Sequence, residues 1–476
     1  MAATCAFRKR PHLSQPNIVF ILADDMGYGD FGRFNDRISA TATLDQLLDE
    51  SLCFTQQYTA SPVCNPSRAA LLTGRYPHRT GSIDTLEWHG LERLALREVT
   101  LADVLQHAGY STGHVGKWHL GAFDLRYAPT ERGFDETVCF RGGMHDYYDW
   151  RIEYNNQPQR SDGRYLTDVW TQEAVNFIDR HANKSPFYLS LNYNAPHTPL
   201  QAPEELVRPY LNAGFNQGVA HIYAMIEQMD KGIAHVLDAL DRHGISENTI
   251  VIFTSDNGPQ FGGEGEWALN RFNCNFNGCK GTTYEGGIRV PLLLRYPAIG
   301  LGGGHTFDRM THFTDWFTTL ISMAGVESKS LLGDRTIDGI NLLPTLQGQS
   351  NTVCERRFWQ WNRYTPLIEC NAGMRDGEWK LVRPQIREAM EVPDIEWLEV
   401  SMYNYEYFLE HPIFTEDPPR NVPCPPPAEL YNLEVDPGET VNLAEQQPEI
   451  AARMIRVLET WFEEVEAERR TIADQW

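Results

Sequence analysis

No uninterrupted apolar run in the 476 residues comes near the ~20 that a membrane-spanning helix needs. The opening stretch, MAATCAFRKRPHLSQPN, holds basic residues but no apolar segment after them, so it does not read as a signal peptide. These two absences lead to the expectation of a cytoplasmic protein without a membrane partner. Cysteine is sparse and scattered. There are nine, with no CxxC pair and no dense framework, which argues against zinc knuckles and a disulfide scaffold. Positive charge is also scarce: 41 Lys and Arg stand against 64 Asp and Glu, a formal net charge of −23 that disfavours nucleic acid as a partner. No internal repeat is visible.

What is present is ample apolar material, 42% of the chain, arranged in short runs. Asn17 to Leu22, Tyr110 to Val115, Phe187 to Leu191 and Thr249 to Thr254 read as buried strands rich in β-branched and aromatic residues. Helical spacing separates them, at Leu44, Leu47, Leu48 and Leu52, over 100–109, over 167–182 and over 219–243. Strands alternating with helices predict an α/β fold with a large, mostly parallel or mixed central sheet flanked by helices. Each strand ends in residues able to do chemistry: Asp24 and Asp25; Lys117 and His119; His197; Asp256 and Asn257. Parallel strands of one sheet would bring all of them to one edge. Three carboxylates and an amide form an all-oxygen set suited to a hard cation such as Ca²⁺ or Mg²⁺. The aromatic and polar stretch 135–163 reads as a long excursion over that site. From about residue 353 the texture changes to short strand patterns and a closing amphipathic helix over 450–472. The expected division is therefore a catalytic α/β domain over 1–352 and a smaller α+β subdomain over 353–476.

The segment SPVCNPSRAALLTGRYPHRTG, residues 61–81, places Cys64 at a helix N-terminus, with Pro66 in the first turn and Gly74 at the end. Arg68 follows one helical turn later, close enough for its guanidinium to reach back. Cys64-Asn65-Pro66-Ser67-Arg68 with Leu72-Thr73-Gly74-Arg75 resembles the signature of the sulfatase family, within the alkaline phosphatase superfamily. Gly116-Lys117-Trp118-His119-Leu120-Gly121 and Glu429 to Asn442 resemble further segments of that family.

The resemblance implies a sulfuric ester hydrolase in which Cys64 is oxidised to formylglycine by a maturation enzyme and hydrates to a diol. It implies Asp24, Asp25, Asp256, Asn257 and the modified Cys64 as ligands of one Ca²⁺ ion. One diol oxygen would attack sulfur, and the second hydroxyl would later expel sulfate. Arg68, Lys117 and Lys280 match positions that hold the diol and the sulfate oxygens. His119 matches the base serving the diol, and His197 the donor to the leaving alkoxide. A small sulfated saccharide is the expected substrate. Two alternatives remain open at this stage: a phosphodiesterase or phosphonate monoester hydrolase on the same fold, and a metal-containing binding protein without turnover.

Overall fold

The computed structural model describes residues 15–393 and 412–472; most of the opening stretch discussed above lies outside them. The large sheet contains β1 (Asn17–Ala23), β2 (Leu52–Tyr58), β3 (Ser111–Lys117), β4 (Glu136–Phe140), β5 (Arg151–Tyr154), β6 (Gln157–Arg160), β7 (Phe187–Asn192), β8 (Thr249–Ser255), β9 (Arg289–Arg295), β10 (Thr306–Phe307) and β11 (Thr311–His312). Their order is β10-β2-β9-β8-β1-β7-β3-β4-β5-β6, with β11 beside β2. The four strands expected to carry the site are neighbours, and β1–β8, β1–β7 and β3–β7 all pair in parallel.

These strands read as continuous apolar runs because both faces are covered. Ile18, Phe20 and Leu22 of β1 join Ile250 and Ile252 in one core. Helices Cys64–Thr73, Leu101–His107 and Phe313–Ala324 pack on that side. Val19, Ile21 and Ala23 face the other core with Leu189, Leu191 and Phe253, under helices Leu166–His181 and Gln217–Arg242. Met225 and Met229 are fully buried there as packing.

Three local expectations need correction. Leu52 is not on the apolar face of the preceding helix: Ala42–Glu50 ends before an extended Ser51, and Leu52 opens β2. The strand expected over 110–115 runs from Ser111 to Lys117, so Lys117 is its last residue. Gly116, inside the strand, is required by close approach. Its φ is +112° and a Cβ there would lie 1.9 Å from the carbonyl oxygen of Asn192. Finally, residues 135–163 are not merely an excursion. They supply β4, β5 and β6 to the sheet, and Tyr147 and Trp150 are fully buried.

A second sheet is antiparallel and runs β12 (Arg356–Gln360), β13 (Ala372–Asp376), β14 (Trp379–Arg383), β15 (Glu429–Asn432). Helix Pro448–Arg469 covers it through Met454, Leu458 and Trp461. Buried ion pairs lock it to the large sheet's layer. Lys380 lies 2.8 Å from both Glu285 and Glu439, and Arg357 pairs with Asp315. The eight described cysteines are all free. Among the described residues no helix is long and apolar enough to cross a membrane.

Candidate active site

Cys64 opens its helix immediately after an extended Val63, and Gly74 ends the helix at φ +70° with its N–H on the Ala70 carbonyl. All ten residues of this helix are buried. The carboxyl ends of β1, β3 and β8 and the turn after β7 meet its N-terminus. Two non-glycine residues at this junction are left-handed, Asp25 (φ +69°) and His119 (φ +57°). Backbone of that kind persists where the surroundings over-determine it. The Nδ2 of Asn65 donates to the carbonyl of His119 at 2.6 Å, and Arg271, clamped on Asp30, donates to the carbonyl of Asp25 at 3.4 Å.

All ten residues singled out in the sequence come together. Lys117 Nζ lies 2.6 Å from Asp24, both fully buried. Arg68 donates from Nε to Asp256 Oδ2 at 2.9 Å, with Nη2 2.7 Å from the same oxygen, and from Nη1 to the Lys117 carbonyl at 3.1 Å. Lys280 Nζ reaches Asp25 at 2.7 Å, and Asn257 Nδ2 donates to Asp25 Oδ1 at 2.7 Å. His119 Nδ1 is 3.4 Å from Cys64 Sγ, and His197 Nε2 is 3.8 Å from Asp25. The hydroxyl of Tyr147 donates to the carbonyls of Asn194 and His197 at 2.7 and 2.9 Å, fixing the turn that carries His197.

Three carboxylates thus face three cations. For Asp25, burial opposes ionisation, but Lys280 beside it prevails and holds the carboxyl well below its usual range. Burial, then Lys117, pushes His119 well below the ordinary histidine value, and burial with Lys280 lowers His197 to about 3, so both imidazoles are neutral at pH 7. Burial pushes the Cys64 thiol up despite Lys117 and Lys280. A protonated, buried thiol is neither a good nucleophile nor a fitting ligand for a hard ion.

The donor set fits a hard cation. Asp24 Oδ1 and Asn257 Oδ1 are buried acceptors without a hydrogen-bond partner among the described residues, a costly state unless something positive meets them. Asp24, Cys64 and Asp256 each offer a ligand atom within 4.8 Å of one another. An oxygen in place of the Cys64 sulfur would make the set all-oxygen.

A cavity of about 440 Å³ opens above Cys64. His119, His197 and Lys280 line it together with Glu87, Trp88, Arg141, His145, Arg151, Glu153 and Arg363. Sequence reasoning missed Glu87 and Arg141. Glu87 Oε1 accepts the Gly143 N–H and lies 3.7 Å from His119 Nε2; burial raises its carboxyl to about 7. Neither belongs to a motif or stands at the carboxyl end of one of the four central parallel strands; Arg141 falls in the stretch 135–163 read as passing over the site, but nothing in that stretch singles it out.

The sulfatase family model matches residues 16–326. The chain belongs to the sulfatase family. N-Acetylgalactosamine-6-sulfatase of Mus musculus is 36% identical over 368 residues, covering 70% of this chain and 67% of that relative. The chain thus spans about two thirds of that relative's length. Arylsulfatase J of Mus musculus is 31% identical over 476 residues, 94% of this chain and 75% of the relative. Among solved structures, Ps i-CgsB in complex with k-i-k-neocarrahexaose superposes with a TM-score of 0.77 at 29% identity, covering 94% of this chain and 93% of that one. The sulfatase fold explains the mixed sheet with its separate small antiparallel sheet, and the chain is a sulfuric ester hydrolase.

Proposed function

We propose that this sulfatase releases inorganic sulfate from a sulfated saccharide, with Cys64 converted to formylglycine and one Ca²⁺ held by Asp24, Asp25, Asp256, Asn257 and the modified Cys64. The observation that carries the reading is the meeting of Cys64, at a helix N-terminus, with buried carbonyl and carboxylate oxygens that lack partners. Formylglycine and the cation together would supply an oxygen nucleophile and a positive charge to polarise the ester. The rest of the work falls to the chain's own side chains.

Arg68, Lys117 and Lys280 surround the place of the Cys64 side chain with donors that need no reorganisation as anionic charge builds up. Neutral His119, with Nδ1 3.4 Å from Cys64, is placed to take a proton there. His197 donates from Nδ1 to the Thr198 carbonyl at 2.7 Å, which leaves Nε2 facing the site. An anionic ester beside Nε2 would lift its affinity for the proton that the leaving alkoxide needs. A divalent cation added to three acids and three bases gives the pocket a net positive charge, which favours a sulfate ester inside a chain of net charge −23. The named action of one relative on N-acetylgalactosamine-6-sulfate and the oligosaccharide held by another favour a carbohydrate.

The test is sulfate release from a panel of sulfated mono- and disaccharides and one aryl sulfate, by protein co-expressed with a formylglycine-generating enzyme. Release from a sugar, absent in Cys64→Ala, supports the reading. Silence across the panel with formylglycine confirmed by peptide mass, and hydrolysis of phosphate or phosphonate esters instead, overturns it.

A further inference from the structure

We infer that the side of the cavity formed by Arg141 is a second anion subsite, which takes a further sulfate or carboxylate group of the same saccharide while its scissile sulfate lies over Cys64. The inference rests on the sulfatase reading above and specifies its substrate.

Arg141 directly follows β4 and is tied to the catalytic floor, since the N–H of His119 donates to its carbonyl at 3.1 Å. Its side chain is more than nine-tenths buried. Nε and Nη2 donate to Glu153 Oε1 at 3.3 and 3.1 Å, which fixes the plane of the guanidinium. Nη1 is buried and has no hydrogen-bond partner among the described residues, although Arg141 lines the same cavity as Cys64. A buried charged donor left unpaired is costly, and a ligand oxygen on Nη1 would remove the cost. This guanidinium pairs with none of the three acids around Cys64. Those acids are already matched by Arg68, Lys117 and Lys280, so Arg141 is not needed for the scissile group.

The surroundings favour an anion over a hydroxyl. Arg151 and Arg363 line the cavity along with Arg141 and Lys280, against the two carboxylates Glu87 and Glu153. Arg363 is anchored 3.0 Å from Asp84 and stacked over Trp361. Glu153 is already engaged by Arg141. Arg151 adds a further guanidinium to the lining of the same cavity.

The test uses matured enzyme and three disaccharides with the same scissile sulfate, whose second residue is neutral, uronate-bearing or sulfated. The wild type is expected to show kcat/KM about tenfold or more higher on at least one anionic disaccharide than on the neutral one, carried mainly by KM. Which of the two gains names the source of the anion. Arg141→Gln should collapse that ratio to about twofold, and Arg141→Lys should restore part of it. Calorimetric binding of the same disaccharides to Cys64→Ala should show the same preference without turnover. Equal wild-type kcat/KM on all three, or an Arg141→Gln ratio unchanged from wild type, overturns the subsite. If none of the three disaccharides releases sulfate, the panel and phosphate-ester assays above decide the proposed function, and calorimetry on Cys64→Ala still decides the subsite: no preference for the anionic disaccharides overturns it.

Discussion

Lys117→Met offers the sharpest test of how the site is held. The substitution keeps most of the side chain's length and removes its charge. Lys117 Nζ is 2.6 Å from Asp24, and both side chains are fully buried. Without it, the ion pair left to Asp24 among the described residues is Arg68 Nη2 at 3.8 Å, and its Oδ1 has no hydrogen-bond partner among them. Removing one member of such a pair costs about 3–5 kcal/mol, because the surviving charge stays buried. With an unfolding entropy of ~2.1 cal/mol/K per residue over 476 residues, stability changes by ~1 kcal/mol per degree near the midpoint. Tm should therefore fall by about 3–5 °C in chelator, as read by calorimetry. Saturating calcium should close at least half of that gap, since a cation beside Asp24 replaces the lost counter-charge. It would thus raise Tm more in the variant than in the wild type. Sulfate release should fall by about 10²–10³ even with calcium if, as proposed, the ammonium also serves the transition state. A gap below about 1 °C in chelator, or one that calcium leaves unchanged, would refute the account of Asp24 as a ligand held ready by Lys117.

Glu92 is fully buried, and burial pushes its carboxyl up to about 8; Oε1 accepts the Ala122 N–H at 3.0 Å while Oε2 has no partner among the described residues. Between about pH 4.5 and 8 the folded chain keeps a proton there that the unfolded chain has released, so this residue lowers stability by ~1.4 kcal/mol per pH unit as pH rises. Glu92→Gln should accordingly raise Tm more at pH 8 than at pH 5; an equal effect at both would contradict the burial argument. Gly116→Ala puts a methyl 1.9 Å from the Asn192 carbonyl and should destabilise by at least about 1–3 kcal/mol in urea unfolding, with sulfate release reduced as Lys117 shifts. Lys380→Met leaves Glu285 and Glu439 buried without the ammonium between them; a loss of about 3–5 kcal/mol is expected, and a change below about 1 kcal/mol would show that the second sheet is held by other contacts.

The residues that could be found by reading were those whose surroundings repeat along the chain. A strand covered on both faces is apolar at every position, so β1, β7 and β8 stand out and their ends point to Asp24, His197 and Asp256. Pro66 and Gly74 bracket the helix of Cys64 for local steric reasons. β2 was hidden because its interior is polar: Gln57 is fully buried, and its Oε1 accepts from Thr311 and Trp316 at 2.7 and 3.0 Å. β6 is exposed at all four positions and carries no periodic signal. Arg141 and Glu87 acquire their meaning from strand neighbours and from a cavity, neither of which leaves a trace in local sequence.

Cys64 is 3% exposed, in a helix that is covered along its whole length and ends against Phe317. An enzyme that oxidises this residue must take hold of the chain around it, and the docked helix offers no purchase. On the proposed reading, conversion belongs to the interval before that helix docks. The active fraction of any preparation is then set by a race between two rates and not by an equilibrium. On that reading a molecule that folds unconverted stays unconverted, and slower folding would yield fewer of them.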